Sequence, residues 1–233
     1  MNIAGLQKMT LLDYPGRVAC TVFLNGCNFR CPFCHNSPLL PGTVPNGFTE
    51  EELLSFLAKR KGLLDGVCIS GGEPTLAPDL PDFIRKIRGM GYPVKLDTNG
   101  FRPDVLRSLI GEGLLDYVAM DVKNSPVRYG ETVGVPGLDI KKIEESLRIL
   151  SENRVDYELR TTVVGEYHTE TDVRQMGEWL SRLFGGPVKR IFLQPFKDGE
   201  SVLAQGLHAP GAEEMESFLA AISPFAEFSA IRG

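Results

Sequence analysis

Six short runs rich in β-branched and aromatic residues alternate with six amphipathic segments along this 233-residue chain, and that alternation limits its fold more than any other feature. The strand-like runs are Arg17 to Leu24, Gly66 to Ser70, Pro93 to Thr98, Asp116 to Asp121, Tyr157 to Val164 and Val188 to Gln194. Thr49 to Glu52 has the form of a helical capping box, and Leu53, Leu54 and Leu57 follow at helical spacing on one face. Further helical patterns cover Asp79 to Met90, Pro103 to Glu112, Ile140 to Glu152, Glu170 to Phe184 and Gly211 to Ile222. Such alternation implies a parallel sheet covered by helices. Roughly six strand–helix pairs are too few for a closed eight-stranded barrel, which leaves an open partial barrel or a doubly wound sheet. Both place ligands at the carboxyl ends of the strands. Met1 to Gly16, Ser37 to Phe48, Asn124 to Leu138 and Pro195 to Pro210 are less regular. No repeat, low-complexity tract or linker marks a boundary, so a single domain over 1–233 is expected.

Charge narrows the function. Twenty-five Lys and Arg against 30 Asp and Glu give a net charge of -5, which argues against an electrostatic grip on nucleic acid. No apolar run approaches the roughly 18 residues that span a bilayer, so no membrane association is expected. Five cysteines, an odd and low count, with no signal-like start, predict a reducing compartment, the cytoplasm, rather than a disulfide framework. Cys20 and Cys68 fall inside apolar strand runs and are expected to be small buried core residues.

Cys27, Cys31 and Cys34 differ. They lie just beyond the first strand-like run, in Gly26-Cys27-Asn28-Phe29-Arg30-Cys31-Pro32-Phe33-Cys34-His35-Asn36. Three thiolates at this spacing can hold an iron–sulfur cluster at three corners and leave one iron open to another ligand. A structural zinc site needs four closed ligands, and His35 is a poor fourth because it adjoins Cys34. Ser70-Gly71-Gly72-Glu73-Pro74 follows the second run, where two glycines permit close approach of the backbone to a ligand; an ordinary turn is the plainer reading. The third run ends in Asp97-Thr98-Asn99-Gly100 and the fourth in Asp121-Val122-Lys123. Asp97 and Thr98 could cap the next helix, and Asp121 with Lys123 could form a surface ion pair. Yet all of these converge on the edge that carries the cysteine loop, as a charged ligand would require. Arg160, charged within the fifth run, must face solvent, a partner or a polar interior. His168 and His208 lie in loop-like sequence and are expected to be ordinary exposed histidines.

The cysteine spacing, with Phe33 before the third cysteine, resembles the cluster motif of the radical S-adenosylmethionine (SAM) superfamily. Gly5, Lys8, Leu12-Asp13-Tyr14-Pro15-Gly16 and the Gly26 to Asn36 run resemble activating proteins of anaerobic ribonucleoside-triphosphate reductase. The wider kin are the activases of glycyl radical enzymes, pyruvate formate-lyase activating enzyme among them. The Asp97 to Gly100 and Asp121 to Lys123 motifs and Arg160 match those activases in order and spacing. The resemblance implies an α/β fold, a partial (β/α)6 TIM-like barrel of the radical SAM type. It further implies a [4Fe-4S] cluster on Cys27, Cys31 and Cys34 whose unique iron is chelated by SAM. Phe33, at the adenine, with Gly71, Gly72, Glu73, Asp97, Thr98, Asp121, Lys123 and Arg160, would line the SAM pocket. The backbone of the Gly-Gly-Glu motif would take the methionine amino group and Lys123 the carboxylate; Asp97 and Asp121 would take ribose hydroxyls, the sulfonium region or a monovalent cation. The implied activity is reductive cleavage of SAM to methionine and a 5′-deoxyadenosyl radical, which installs a glycyl radical on a partner, anaerobic ribonucleotide reductase. A flavodoxin- or ferredoxin-type protein would supply the electron. Some activases carry a histidine after the last strand, where this chain has Gln194-Pro195-Phe196-Lys197. A radical SAM enzyme acting on a small molecule, such as a 7-carboxy-7-deazaguanine synthase relative, would share the pocket. A non-enzymatic electron-transfer module would leave Gly71 to Pro74, Asp97 and Lys123 without purpose.

Overall fold

The computed structural model describes residues 1–40 and 47–233. Its strands are β1 (Ile3–Thr10), β2 (Ala19–Leu24), β3 (Gly66–Gly71), β4 (Val94–Thr98), β5 (Tyr117–Asp121), β6 (Asp156–Val163), β7 (Ile191–Pro195) and β8 (Ser229–Ile231). Its helices are α1 (Glu50–Lys59), α2 (Leu80–Gly89), α3 (Pro103–Gly111), α4 (Tyr129–Thr132), α5 (Ile140–Ser151), α6 (Glu170–Phe184) and α7 (Ala212–Ile222). The strands are ordered as in the chain, β1 to β8. All six expected strands form, each within three residues of its expected bounds, and so do all six expected helices.

Two strands were not expected. β1 arises in the stretch Met1 to Gly16 and pairs antiparallel with β2, Leu6 opposite Val22, while β8 pairs parallel with β7. The stretch Asn124 to Leu138 contains the single turn α4, and Ser37–Leu39 winds into a 3-10 turn. Residues 41–46 of the irregular Ser37 to Phe48 stretch lie outside the described residues.

Two compact units can be distinguished. The first comprises Met1–Asn28, Pro38–Thr98 and Asp104–Ala119. In it β2, β3 and β4 pair in parallel, with Cys20 beside Val67 and Cys68 beside Lys95. Val22, Ile69 and Leu96 are fully buried, as are Leu53 and Leu57 of α1 and Ile84 and Ile87 of α2. The capping box of α1 forms as its sequence predicts, Thr49 Oγ1 accepting from Glu52 N–H and Glu52 Oε2 from Thr49 N–H. Tyr14, from the Leu12 to Gly16 motif, packs its ring 6.1 Å from Tyr117, and burial pushes its phenol up to about 12.

The second unit comprises Phe29–Ser37, Asn99–Pro103 and Met120–Gly233. β6, β7 and β8 pair in parallel there, and α5 and α6 bury Ile143, Leu147, Leu150, Val173, Met176 and Leu180. A second capping box, Thr169 with Asp172, starts α6, and Gly185 at φ 70° ends it in the left-handed conformation that glycine adopts without strain.

Candidate active site

In the first unit the parallel pairing brings the carboxyl ends of β2, β3 and β4 to one edge. Beyond β2 the chain turns at Gly26, whose N–H donates to the Leu39 carbonyl at 2.8 Å, and reaches the half-buried Cys27. Beyond β3, Gly72 N–H donates to Leu24 O at 2.9 Å and Glu73 N–H to Gly26 O at 2.8 Å. The two glycines thus approach the backbone of Leu24 to Gly26: a Cβ on Gly71, at φ +123°, would lie 2.3 Å from Leu24 N. The amides of Gly72 and Glu73 are thereby committed to the chain, and the Glu73 carbonyl accepts from Leu76 N–H at 3.2 Å.

Glu73 is buried, and its Oε1 accepts from Thr75 N–H at 3.1 Å, Thr75 Oγ1 at 2.5 Å and Thr98 Oγ1 at 2.7 Å. Those donors meet the cost of an interior carboxylate and tie the end of β4 to the Gly-Gly-Glu turn. Asp97 carries an ion pair from the buried Lys95, two residues earlier on the same face of β4. Cys20 and Cys68 are fully buried, as expected.

In the second unit Cys34 N–H donates to Cys31 O at 3.1 Å, a turn that encloses Phe33. Phe33 is buried with its ring 6.0 Å from that of Tyr167. Burial pushes the Cys34 thiol up, while the Lys123 and Arg30 cations pull it back. His35 stacks flat on Phe196, centroids 5.6 Å apart, with Nε2 at the Lys197 carbonyl. Its ring therefore faces the stretch where some activases carry their own histidine. Two further bonds join this loop to the segment after β7: Ser37 Oγ to Ser201 O, and Ala204 N–H to Pro32 O at 2.8 Å.

Asp121, at the end of β5, meets Lys123 Nζ at 2.9 Å and Arg160 Nε at 3.1 Å. Burial disfavours its charge, but the two cations outweigh burial and hold the carboxyl at about 2. Lys123 is raised in turn, Asp121 and the Cys31 thiol overcoming its own desolvation. The ion pair foreseen as a surface bridge thus exists, half-buried and with Arg160 as a third member. Tyr129, also buried, donates its hydroxyl to the Asp121 carbonyl at 3.4 Å.

His168 departs from expectation. It is 2% exposed, its Nδ1 accepts from Val164 N–H at 3.1 Å and its Nε2 therefore donates to Lys123 O at 2.8 Å. It anchors the backbone of Lys123. His208 is exposed as expected and pairs with Glu166 at 2.7 Å. Lys95, Thr75, Tyr129 and His168 were not singled out as site residues from sequence. Only Lys95 carried a usable signal, a charge inside an apolar strand at the i−2 position from a candidate ligand.

Among the described residues no group of three or more His, Cys, Asp or Glu side chains is gathered as a metal site. What suits an iron–sulfur cluster is the donor chemistry: three thiols, none in a disulfide, within one eight-residue run, two of them in the field of Lys123.

Residues 21–180 match the Radical SAM superfamily. The chain belongs to that superfamily. A Methanocaldococcus jannaschii protein named as a glycyl-radical enzyme activating enzyme is 37% identical over 183 residues, which cover 76% of this chain and 74% of that protein. This places the radical SAM chain among the activating enzymes. Pyruvate formate-lyase 1-activating enzyme of Escherichia coli is 27% identical over 232 residues, 92% of each chain. The structure of Streptococcus suis SuiB bound to S-adenosylmethionine aligns with TM-score 0.70 at 12% identity, over 89% of this chain and 48% of SuiB. A domain of pyruvate-formate lyase-activating enzyme from Bacteroides vulgatus aligns with TM-score 0.58 at 20% identity, over 72% of this chain and 99% of that domain. These structures share the α/β fold expected from the strand and helix alternation, in keeping with the partial barrel that the resemblance implied. Membership of the superfamily makes this chain an enzyme and implies an iron–sulfur cluster and SAM as its cofactors. No helix among the described residues is long and apolar enough to cross a membrane.

Proposed function

We propose that this radical SAM protein installs a glycyl radical on a partner enzyme, anaerobic ribonucleoside-triphosphate reductase, in the cytoplasm, with a flavodoxin- or ferredoxin-type electron donor. The observation that carries this reading is the 37% identity, over three quarters of each chain, with a protein named for activating glycyl radical enzymes. The motifs that match the reductase activases, from Leu12 to Gly16 and from Gly26 to Asn36, favour the reductase among possible partners.

In this reading Cys27, Cys31 and Cys34 hold a [4Fe-4S] cluster. The cluster, when bound and reduced by the electron donor, would supply the one electron that cleaves a carbon–sulfur bond of bound SAM, so that methionine and a 5′-deoxyadenosyl radical would result and the latter would take a hydrogen atom from a glycine Cα of the partner. The chain's own residues bind and orient. Carbonyls of the Gly71-Gly72-Glu73 turn accept from the methionine ammonium, and Glu73 and Thr98 keep that turn fixed to β4. Lys123 meets the methionine carboxylate as a point charge, with Asp121 and Arg160 holding it in place. Asp97 accepts from ribose hydroxyls, and Phe33 lies against adenine.

The test is electron paramagnetic resonance on the anaerobically reconstituted, reduced protein mixed with SAM and anaerobic ribonucleotide reductase. A carbon-centred radical on the reductase, with one 5′-deoxyadenosine formed per radical, is the expected result. No radical on the reductase, or on any other glycyl radical enzyme of the same organism, together with turnover of a small metabolite, would move the protein to small-molecule radical chemistry.

A further inference from the structure

Lys95 is 1% exposed, on the strand that ends in Asp97. An ammonium taken out of water is tolerated only where charge and hydrogen-bond partners replace its hydration. Lys95 finds two: the Asp97 carboxylate, with which it is ion-paired, and the buried Cys68 sulfur, 3.8 Å from Nζ. The register explains both contacts. Cys68 on β3 is the direct neighbour of Lys95, and Asp97 lies two residues on, so all three share one face of the parallel strands. In the next residue along, Thr98 donates to the buried Glu73, so successive side chains of β4 are fixed from opposite faces. A solvated lysine could not impose such a fixed position on its partner, because long exposed side chains lose any single geometry to rotamer entropy. A lysine buried between two strands can.

From this arrangement we infer that Lys95 is a positioning residue for SAM binding: its ammonium fixes the Asp97 carboxylate at the end of β4 so that the carboxylate meets the ligand already oriented. The inference rests on the proposed placing of Asp97 in the SAM pocket. Lys95 itself touches no ligand in this account and acts only through Asp97.

The experiment is a double-mutant cycle, with SAM affinity read by calorimetry on the anaerobically reconstituted full chain and iron content and thermal midpoint read beside it. Lys95→Met should weaken SAM binding about tenfold with iron content unchanged, and Asp97→Asn should do the same. The double variant Lys95→Met/Asp97→Asn should bind no more weakly than Asp97→Asn alone, because each change removes the same interaction. A residue that merely supports the fold would instead give additive losses, which would overturn the inference. The double variant also carries no unpaired buried charge, so it keeps the comparison with Asp97→Asn open if Lys95→Met fails to fold. Wild-type affinity in Asp97→Asn would overturn the placing of Asp97 itself. Weakened binding in Asp97→Asn with wild-type affinity in Lys95→Met would overturn only the role of Lys95.

Discussion

The backbone of Gly72 lies so close to that of Gly26 that a methyl group on Gly72 would sit 2.0 Å from the Gly26 carbonyl oxygen. The obstacle is main chain, not the end of a flexible side chain, so the only relief is to move the segment that leads into Cys27. Gly72→Ala should therefore lower stability by about 1–3 kcal/mol. It should also reduce the iron retained after anaerobic reconstitution. Denaturant unfolding and iron analysis check the two effects together, and wild-type values in both would show that the Gly26 turn yields freely.

Replacing Cys27, Cys31 or Cys34 singly by alanine should abolish a stable cluster, against about four irons per chain in the parent. Cys20→Ala should retain iron, since Cys20 is fully buried in β2. Loss of iron in that variant, or full iron in any of the first three, would refute the ligand assignment.

Asp121→Ala and Lys123→Ala should each weaken SAM binding by about tenfold while sparing iron content, since each removes one member of the Asp121, Lys123 and Arg160 group. Calorimetry on the reconstituted protein decides. Unchanged affinity in both would leave the group as a structural ion pair.

Burial holds His168 below its ordinary value of 6.5, against the pull of the Lys123 and Val164 carbonyls that face its two ring nitrogens. The unfolded chain then takes up this proton at a higher pH than the folded one, so the stability due to a neutral His168 is complete above about 6.5 and is lost as pH falls below it. Thermal midpoints measured across that window should decline with falling pH. In His168→Gln they should start lower and lose this component of the slope. An identical slope in the variant would assign the pH response elsewhere.

The strands and helices that form the fold were legible because their apolar periodicity is strong, and the six expected helices and six expected strands all form. β1 was not legible. Gly5, Gln7 and Lys8 interrupt its pattern, and two register shifts against β2 mean that no clean alternation is required of it. His168 misled for a related reason: Tyr167-His168-Thr169-Glu170 reads as polar loop, yet the Thr169 capping box and the carbonyl of Lys123 draw the imidazole inward. At the candidate site, motifs named the residues at strand ends but not what fixes them. Lys95 and Thr75 act through Asp97 and Glu73, and such supporting contacts depend on strand register and burial that spacing alone does not reveal.

The two register shifts in β1 have a consequence for association. A terminal strand offers unpaired amide and carbonyl groups as a template on which another chain can polymerise, and irregular or charged strands blunt that template. β1, last in the order at one end, is kinked between Ile3 and Gly5 and between Gln7 and Thr10, exposes Lys8, and has its Ile3 carbonyl occupied by the N–H groups of Gly47 and Phe48. β8, last at the other end, is only three residues long. Neither strand suits strand-by-strand growth, so polymerisation through either one is discouraged.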